Sequence, residues 1–431
     1  IYIYIYIYIN MDIITKNFLY RFDLIAKYIY IKYHEININC DFHIKLYKEH
    51  INTFNGCWEH PGTKEGIDSF IIAFDKLIQS IKDKGFNDKY SIPLGNNNVI
   101  DNGAHRLAIS LFYNKDIKYD KINKNGSQLY NYRFFTKRSQ DGPRKTPPLN
   151  LIYSDHMALE YIKLNKNIRT LILYPIGKDP TGSYRGDKVE KILNEYGKIY
   201  YKKKVTLNNT GLDNLIKELY RGEGWIGGLF PNKSNGKTNL CKSNGNDQNI
   251  IIYLFYMNDL KKLIEMKEKC RKIYNIGKHS LHVSDYYKDT FRICSSLLND
   301  NSIFYLNYCK HNISNSTKKL LIHYFNKIGE QNEDYCITYS LILEMFGLIQ
   351  AKDLDYLHKD DNNLNLKQIT PHSGKWLSFY HVHKDEIMYN PNNYFYFNGF
   401  KFATLHVIKK MKENRKEPKD LNDIKNINNI I

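Results

Sequence analysis

Apolar and polar positions along this chain repeat at two periods, and each period marks an element. The segment GIDSFIIAFDKLIQSIKDKG, 66–85, carries apolar residues at helical spacing, with Asp68 placed to cap a helix and Gly85 to end it. Residues 12–35 form an apolar, Tyr-rich segment that also reads as helix. Ser91-Ile-Pro-Leu94 predicts a short strand, followed by a turn at Gly95-Asn-Asn-Asn98 and the run VIDNGAHRLAISLFYN. Strands are expected at 169–174, 198–201 and 249–255, with helices at 187–196 and near 211–220 and a long Gly/Asn/Lys-rich loop at 227–249. The apolar run 335–348 opens a last unit, in which Asp353-Leu-Asp-Tyr-Leu357 alternates as a strand. Helices and strands mixed in this order predict an α/β (α+β), multidomain fold.

Two stretches mark boundaries. KRSQDGPRKTPPL at 137–149 is rich in Pro, Gly and charge, and 311–317 is rich in Asn and Ser. The expected division is a low-complexity start with an N-terminal helix (1–44), a first domain (45–150), a central α/β domain (151–325) and a last domain (326–431). The opening IYIYIYIYI is too regular to carry fold information and reads as low-complexity sequence ahead of Met11.

Composition narrows the function. With 42% hydrophobic and 14% aromatic residues, wholesale disorder is excluded. Lys and Arg number 63 against 45 Asp and Glu, a formal +18, which favours anionic partners such as nucleotides, nucleic acid or phosphorylated substrates. The seven cysteines are scattered and never form a CxxC pair, which argues against a disulfide scaffold or zinc ribbon and for a reducing, cytoplasmic location. No run of about 18–20 apolar residues predicts a membrane span, so no membrane partner is expected.

The first chemistry-bearing constellation is Asp101-Asn-Gly-Ala-His-Arg-Leu-Ala108, between a strand end and a helix start. Gly103 permits a tight turn of positive φ. His105 and Arg106 fall on the first helical turn, where free N–H groups and the dipole attract phosphate, and a guanidinium offers planar, bidentate donors. Asp101 either joins this site or caps the helix. The strand–turn–Gly-x-His-Arg–helix pattern resembles the ParB/sulfiredoxin-like fold over about 45–120. The resemblance implies a nucleotide or phosphate site at Asp101, Gly103, His105 and Arg106, with ATPase, CTPase or kinase chemistry and DNA binding among the activities it allows. Ala104 stands where sulfiredoxin-type members carry a reactive cysteine, so sulfinic acid reduction is not implied. Glu59 or Glu65 upstream is a candidate acid/base group.

The second constellation is Tyr339-Ser340, an apolar helix, then Asp353-Leu-Asp355. Alternation places both carboxylates on one face of a strand, and paired carboxylates with substrate phosphates are what Mg²⁺ requires. The alternative is a capped turn before a surface strand. A Ser turn, a helix and a D-x-D strand together resemble the polymerase-β-type nucleotidyltransferase fold, over roughly the last hundred residues. The resemblance implies that Ser340 touches a nucleoside triphosphate and that Asp353 and Asp355 hold Mg²⁺. A third carboxylate is expected on a later strand, with Asp385 and Glu386 as candidates. Tyr339 stands where the family has glycine, in position to crowd the triphosphate. The tail Arg415-Lys-Glu-Pro-Lys-Asp-Leu-Asn-Asp423 is similar to the Arg, Lys-Asp, Asp tails of minimal nucleotidyltransferase-like proteins. It reads as phosphate-binding or as a solvated helix with ion pairs.

Weaker signals remain. His282, Ser284 and Asp285 are faintly similar to the histidine segment of nucleoside diphosphate kinases. Asn235-Gly-Lys-Thr238 resembles a P-loop end, but Pro231 stands where its first glycine is required. His372, His381 and His383 suggest metal ligation without a fourth ligand, and 200–204, Tyr-Tyr-Lys-Lys-Lys, reads as a strand leaving the core. The leading expectation is a Mg²⁺-dependent nucleotidyl or phosphoryl transferase acting on a sugar phosphate, protein or RNA acceptor. The competing one is a ParB-like DNA-binding or regulatory protein whose last domain is not catalytic.

Overall fold

The computed structural model describes residues 13–59, 63–137, 146–177, 186–310, 313–329 and 332–431. The Ile-Tyr repeat, Met11, most of 137–149 and the first two residues of 311–317 lie outside them. The chain divides into two compact units, Ile1–Asn165 and Lys166–Ile431. Helix and sheet are mixed in both, as the sequence pattern predicts.

The first unit is built around the helix Asp23–Glu35, whose Leu24, Ile25, Ala26, Ile29 and Ile31 are fully buried. A helix apolar on nearly all sides belongs in a core. It packs against the helices Phe42–Asn55, Ala104–Phe112 and Leu151–Leu164. Residues 13–44 are therefore no separate segment. The helix Leu151–Leu164, expected to open the central domain, belongs here too, because its 153–162 stretch is buried and Glu160 pairs with Lys32 at 2.8 Å. Strands are few. β1 (Trp58–Glu59) and β2 (Lys64–Glu65) form an antiparallel hairpin, and β3 (Ile92–Leu94) pairs in parallel with β4 (Tyr119–Lys121) across the helix Ala104–Phe112. After β4 the backbone passes so near the Val99 carbonyl that a Cβ on Gly126 would lie 1.8 Å from its oxygen. Only glycine fits there.

The second unit holds two sheets. β5 (Ile168–Leu173), β6 (Lys198–Leu207), β7 (Gln248–Tyr256) and β8 (Leu281–Val283) form one in the order β6-β7-β5-β8, antiparallel throughout. The other comprises β9 (Tyr335–Thr338), β10 (Leu354–His358), β11 (Ile369–Pro371), β12 (Tyr394–Phe397) and β13 (Phe400–Ala403), ordered β11-β10-β9-β13-β12. β10 runs antiparallel to β9 and parallel to β11. The helices Tyr287–Leu297 and Asp300–Tyr308 pack on both sheets, so the expected boundary near 325 does not separate two bodies. Beside β12, Ser302 Oγ accepts from Tyr396 N (2.8 Å), and Asn301 Nδ2 donates to the Pro391 and Tyr394 carbonyls (2.9 and 3.2 Å). No helix among the described residues is long and apolar enough to cross a membrane.

Candidate functional site

The second sheet assembles one candidate site at the Thr338 end of β9. The chain leaves β9 through Tyr339 and enters the short helix Ser340–Met345. Tyr339 has φ +63° and ψ −137°, a conformation that glycine adopts freely and other residues rarely hold. A glycine, the residue the resemblance leads one to expect here, would hold these angles without strain; Tyr339 does not. Ser340 Oγ donates to Asp353 Oδ1 at 3.4 Å. Asp353 lies just before β10 and is half-buried; Asp355 lies within β10, buried, opposite Thr338. Thr370 Oγ1 donates to Asp355 Oδ1 (2.8 Å), and His372 Nε2 stands 3.6 Å from the same oxygen. Burial, with help from the Asp353 charge, pushes the Asp355 carboxyl up to about 6 against the opposing pull of Thr370, Arg415 and Lys419.

Arg415 and Lys419 come from the tail. The helices Leu405–Arg415 and Pro418–Asn428 are joined by a capping box between Glu417 and Asp420. Lys412 Nζ pairs with Asp420 (3.1 Å) and Asp423 (2.7 Å), and Arg415 pairs with Asp420 at 2.6 Å. Both cations lie over the Tyr339 ring, at 4.6 and 4.8 Å from its centroid. Lys412 and Arg415 are therefore folded onto the Ser340 turn, whereas Lys416, Lys419 and Lys425 remain exposed as on a solvated helix, and the Tyr339 ring is packed beneath the first two, 8% exposed.

His372 is buried beside this pair. Tyr380 OH contacts its Nδ1 at 2.8 Å and Thr338 Oγ1 at 2.9 Å. Burial first, and the Arg415 charge second, push the imidazole down to about 3, so it is neutral. The expected third carboxylate is not on a strand. Asp385 and Glu386 open the helix Lys384–Tyr389, where His383 Nδ1 accepts from Asp385 N (3.3 Å) and Glu386 accepts from Asn390 Nδ2 (2.8 Å). The strand residue facing Asp355 across β11 is Thr370. Among the described residues no group of three or more His, Cys, Asp or Glu is placed to hold a metal. Two carboxylates, one with an oxygen committed to Thr370, suit a Mg²⁺ that takes its other ligands from phosphate and water.

A second candidate site lies in the first unit, a cleft of about 230 Å³ lined by Glu59, Lys64, Phe70, Phe74 and residues 102–106. Gly103, at φ +88°, begins the helix Ala104–Phe112, and no side chain caps it. Asp101 does not cap this helix; it pairs with Lys124 at 2.9 Å. Arg106 borders the cleft, but its Nη1 donates to the carbonyls of Tyr90 and Ser91, which ties the helix to the entry of β3. His105 meets Tyr47 OH at 2.9 Å and packs edge-on against Phe74. Burial, then the Lys27 and Lys64 charges, hold it well below the ordinary imidazole value, so it offers no cation. Of the two candidate acids only Glu59 lines the cleft, paired with Lys64 at 2.7 Å.

A smaller space of about 90 Å³ shares these walls and reaches Arg21, Asp23 and Lys27. Arg21 Nε lies 2.9 Å from Asp23 Oδ1, Lys27 Nζ lies 2.9 Å from Asp23 Oδ2, and Arg21 Nη1 donates to the Ile100 carbonyl (3.0 Å). Sequence reasoning missed this triad. Its signal is the charge in an otherwise apolar run at a helix start, RFDLIAK at 21–27.

The weaker signals resolve as packing. His282 lies edge-on to Tyr220 (5.2 Å), Ser284 bonds Thr170 N and Thr290, and Asp285 pairs with Lys267. Burial, reinforced by surrounding cations, holds His282 down to about 3. Lys237 and Thr238 bond Lys278 O and Asp213. His381 packs edge-on against His406 (5.8 Å), while His372 stacks on Trp376. Tyr200 and Tyr201 are buried in β6, as a core strand requires.

No protein-family profile, curated protein or solved structure matches the chain.

Proposed function

We propose that the Asp353–Asp355 end of the second sheet binds a nucleoside triphosphate with Mg²⁺ and transfers its nucleotidyl group to an acceptor hydroxyl. The observation that carries this reading is convergence. Ser340, Asp353 and Asp355 meet at one turn, and Arg415, from a distant tail, lies over the Tyr339 ring of that turn, with the Arg415 and Lys419 charges acting on Asp355. In this reading Asp353 and Asp355 hold the ion, which when bound supplies charge neutralisation on the phosphates. Ser340 Oγ turns from Asp353 to a phosphate oxygen. Arg415 and Lys419 draw the charge that develops on the departing group. The acceptor oxygen forms a bond to the α-phosphorus as the bond to pyrophosphate breaks, and the hydroxyl proton passes to solvent or a nearby carboxylate.

A specific observation favours a second anion site in the first unit: Lys64 and an uncapped helix start face one cleft. This supports phosphate or nucleotide binding there, with Glu59 beside it.

Thermal stability with ATP, CTP, GTP and UTP, with and without Mg²⁺, tests both. A Mg²⁺-dependent rise in melting temperature that Asp353→Asn/Asp355→Asn removes is expected for the transferase site. A rise removed by Lys64→Ala alone locates the nucleotide in the first unit. No rise with any nucleotide, together with steeply salt-dependent DNA binding, would overturn the transferase reading in favour of a DNA-binding protein.

A further inference from the structure

Trp376 is an exposed aromatic beside three buried rings and the half-buried Phe379. It is 39% exposed, whereas Tyr339, His372 and Tyr380 beside it are 8%, 3% and 7% exposed. It sits on the short turn Gly374–Phe379 and lies parallel to the His372 ring, with centroids 4.8 Å apart and planes within 3°. His372 is itself held by Tyr380, and Tyr380 by Thr338 of β9. The indole is therefore backed by a fixed layer and anchored to the sheet. A flat, rigid, solvent-facing ring needs little ordering when a second ring stacks on it. Arg415 stands 5.9 Å from the same indole.

Its place relative to the carboxylates matters as much as its exposure. His372 touches both partners: Nε2 is 3.6 Å from Asp355, and the ring stacks on Trp376. One imidazole thus separates the indole from the carboxylate. Because His372 covers one face of the indole, a base stacks on the other, and the sugar and phosphates span the indole edge to the carboxylates. We propose that Trp376 is the stacking platform for the base of the nucleotide whose phosphates lie at Asp353 and Asp355. This rests on the reading of that end as a triphosphate site. Stacking uses the π-face that every base has, so the platform accepts purines and pyrimidines, with the larger purines held more firmly.

Binding of Mg²⁺–ATP and Mg²⁺–tripolyphosphate to the whole chain separates the two ideas, because tripolyphosphate has no base. Trp376→Ala is expected to weaken ATP binding by about 5- to 150-fold and to leave tripolyphosphate binding unchanged. Trp376→Phe is expected to recover part of the ATP affinity, and its melting temperature shows whether the turn remains folded. Asp353→Asn/Asp355→Asn is expected to lose both ligands. If ATP binds, depends on the aspartates and is indifferent to Trp376→Ala, the platform is overturned and the triphosphate reading stands. If Trp376→Ala weakens both ligands equally, Trp376 only supports the site and the platform is likewise overturned. If neither ligand binds the native chain, both fall.

Discussion

The Arg415 guanidinium lies 4.8 Å over the ring of Tyr339, and Tyr339 holds the backbone angles of a glycine. The tail thus clamps a turn that its own residue disfavours. A non-glycine residue in such a region costs of order 1–3 kcal/mol and persists only where its surroundings over-determine it. Lys412, Arg415, His372 and Trp376 are those surroundings.

This predicts an unusual ranking at position 339. Tyr339→Ala loses the ring and keeps the strain; Tyr339→Gly loses the ring and releases the strain. Ring loss costs about 3–5 kcal/mol. Both variants are expected to be less stable than the native chain, with the glycine variant more stable than the alanine variant by about 1 kcal/mol or more. Urea unfolding reads the order, and an equal effect of the two would refute the backbone account.

Asp23 predicts an acid limb for the first unit. Burial raises its carboxyl, but the charges of Arg21 and Lys27 outweigh burial and hold it well below the usual carboxylate range. A lowered folded value means the stabilisation is complete above the unfolded pKa, about 3.9, and is lost as pH falls below it. Asp23→Asn leaves two buried cations without their counter-charge, at a cost of about 3–5 kcal/mol near pH 7. Melting temperatures between pH 2.5 and 7 are expected to show this gap narrowing below about pH 4. A gap of constant width would contradict the assignment.

Arg106 and Lys64 are expected to separate stability from binding. Arg106→Ala removes a charged donor from the Tyr90 and Ser91 carbonyls and is expected to destabilise the first unit by about 1.5–3 kcal/mol. Lys64→Ala removes a half-exposed pair with Glu59, worth under about 1 kcal/mol, and is expected to weaken phosphate binding in the cleft. Chemical denaturation and phosphate titration of both variants check the split; the reverse pattern would return Arg106 to the site.

Glu344 ties the Ser340–Met345 helix to its surroundings. Its carboxylate accepts from Ser314 N (2.8 Å), Thr317 Oγ1 (2.8 Å) and Ala351 N (2.7 Å). Glu344→Gln turns one accepting oxygen into a donor that faces another donor, so a loss of about 1–3 kcal/mol is expected in denaturant unfolding. A neutral result would mean that the helix is held by its apolar face alone.

The legible parts of this chain were those governed by local pattern. The period of 66–85 gives the helix Ile67–Lys84, and the alternation after Asp353 gives β10. The turn at Tyr339, the helix after it and β10 were readable in that order, whereas β9 was not, because the apolar run 335–348 does not separate the strand from the helix that follows it. The Arg21–Asp23–Lys27 triad was not, because its meaning depends on the Ile100 carbonyl and on Glu59 and Lys64, which only the fold brings near. Arg106 looked like a phosphate ligand because sequence shows a guanidinium at a helix start, not the carbonyls of Tyr90 and Ser91 that occupy it. Asp385 and Glu386 looked eligible because a six-residue helix leaves little periodicity to distinguish it from a strand. Thr370 carried no motif, and His372 was grouped with His381 and His383; only the parallel pairing of β11 with β10 brings both to Asp355.

The side chains of Asn301 and Ser302 along β12 have a consequence for how this protein can be divided. β12 is the outermost strand of its sheet and reads Tyr-Phe-Tyr-Phe. An uncovered aromatic edge is a template for another chain. Ser302 and Asn301 occupy its backbone groups and so act as a guard against self-pairing. A fragment cut at 326 would lose that guard while keeping the whole sheet, and it would assemble edge to edge into aggregates. A fragment begun at 166 keeps the guard and stays dispersed.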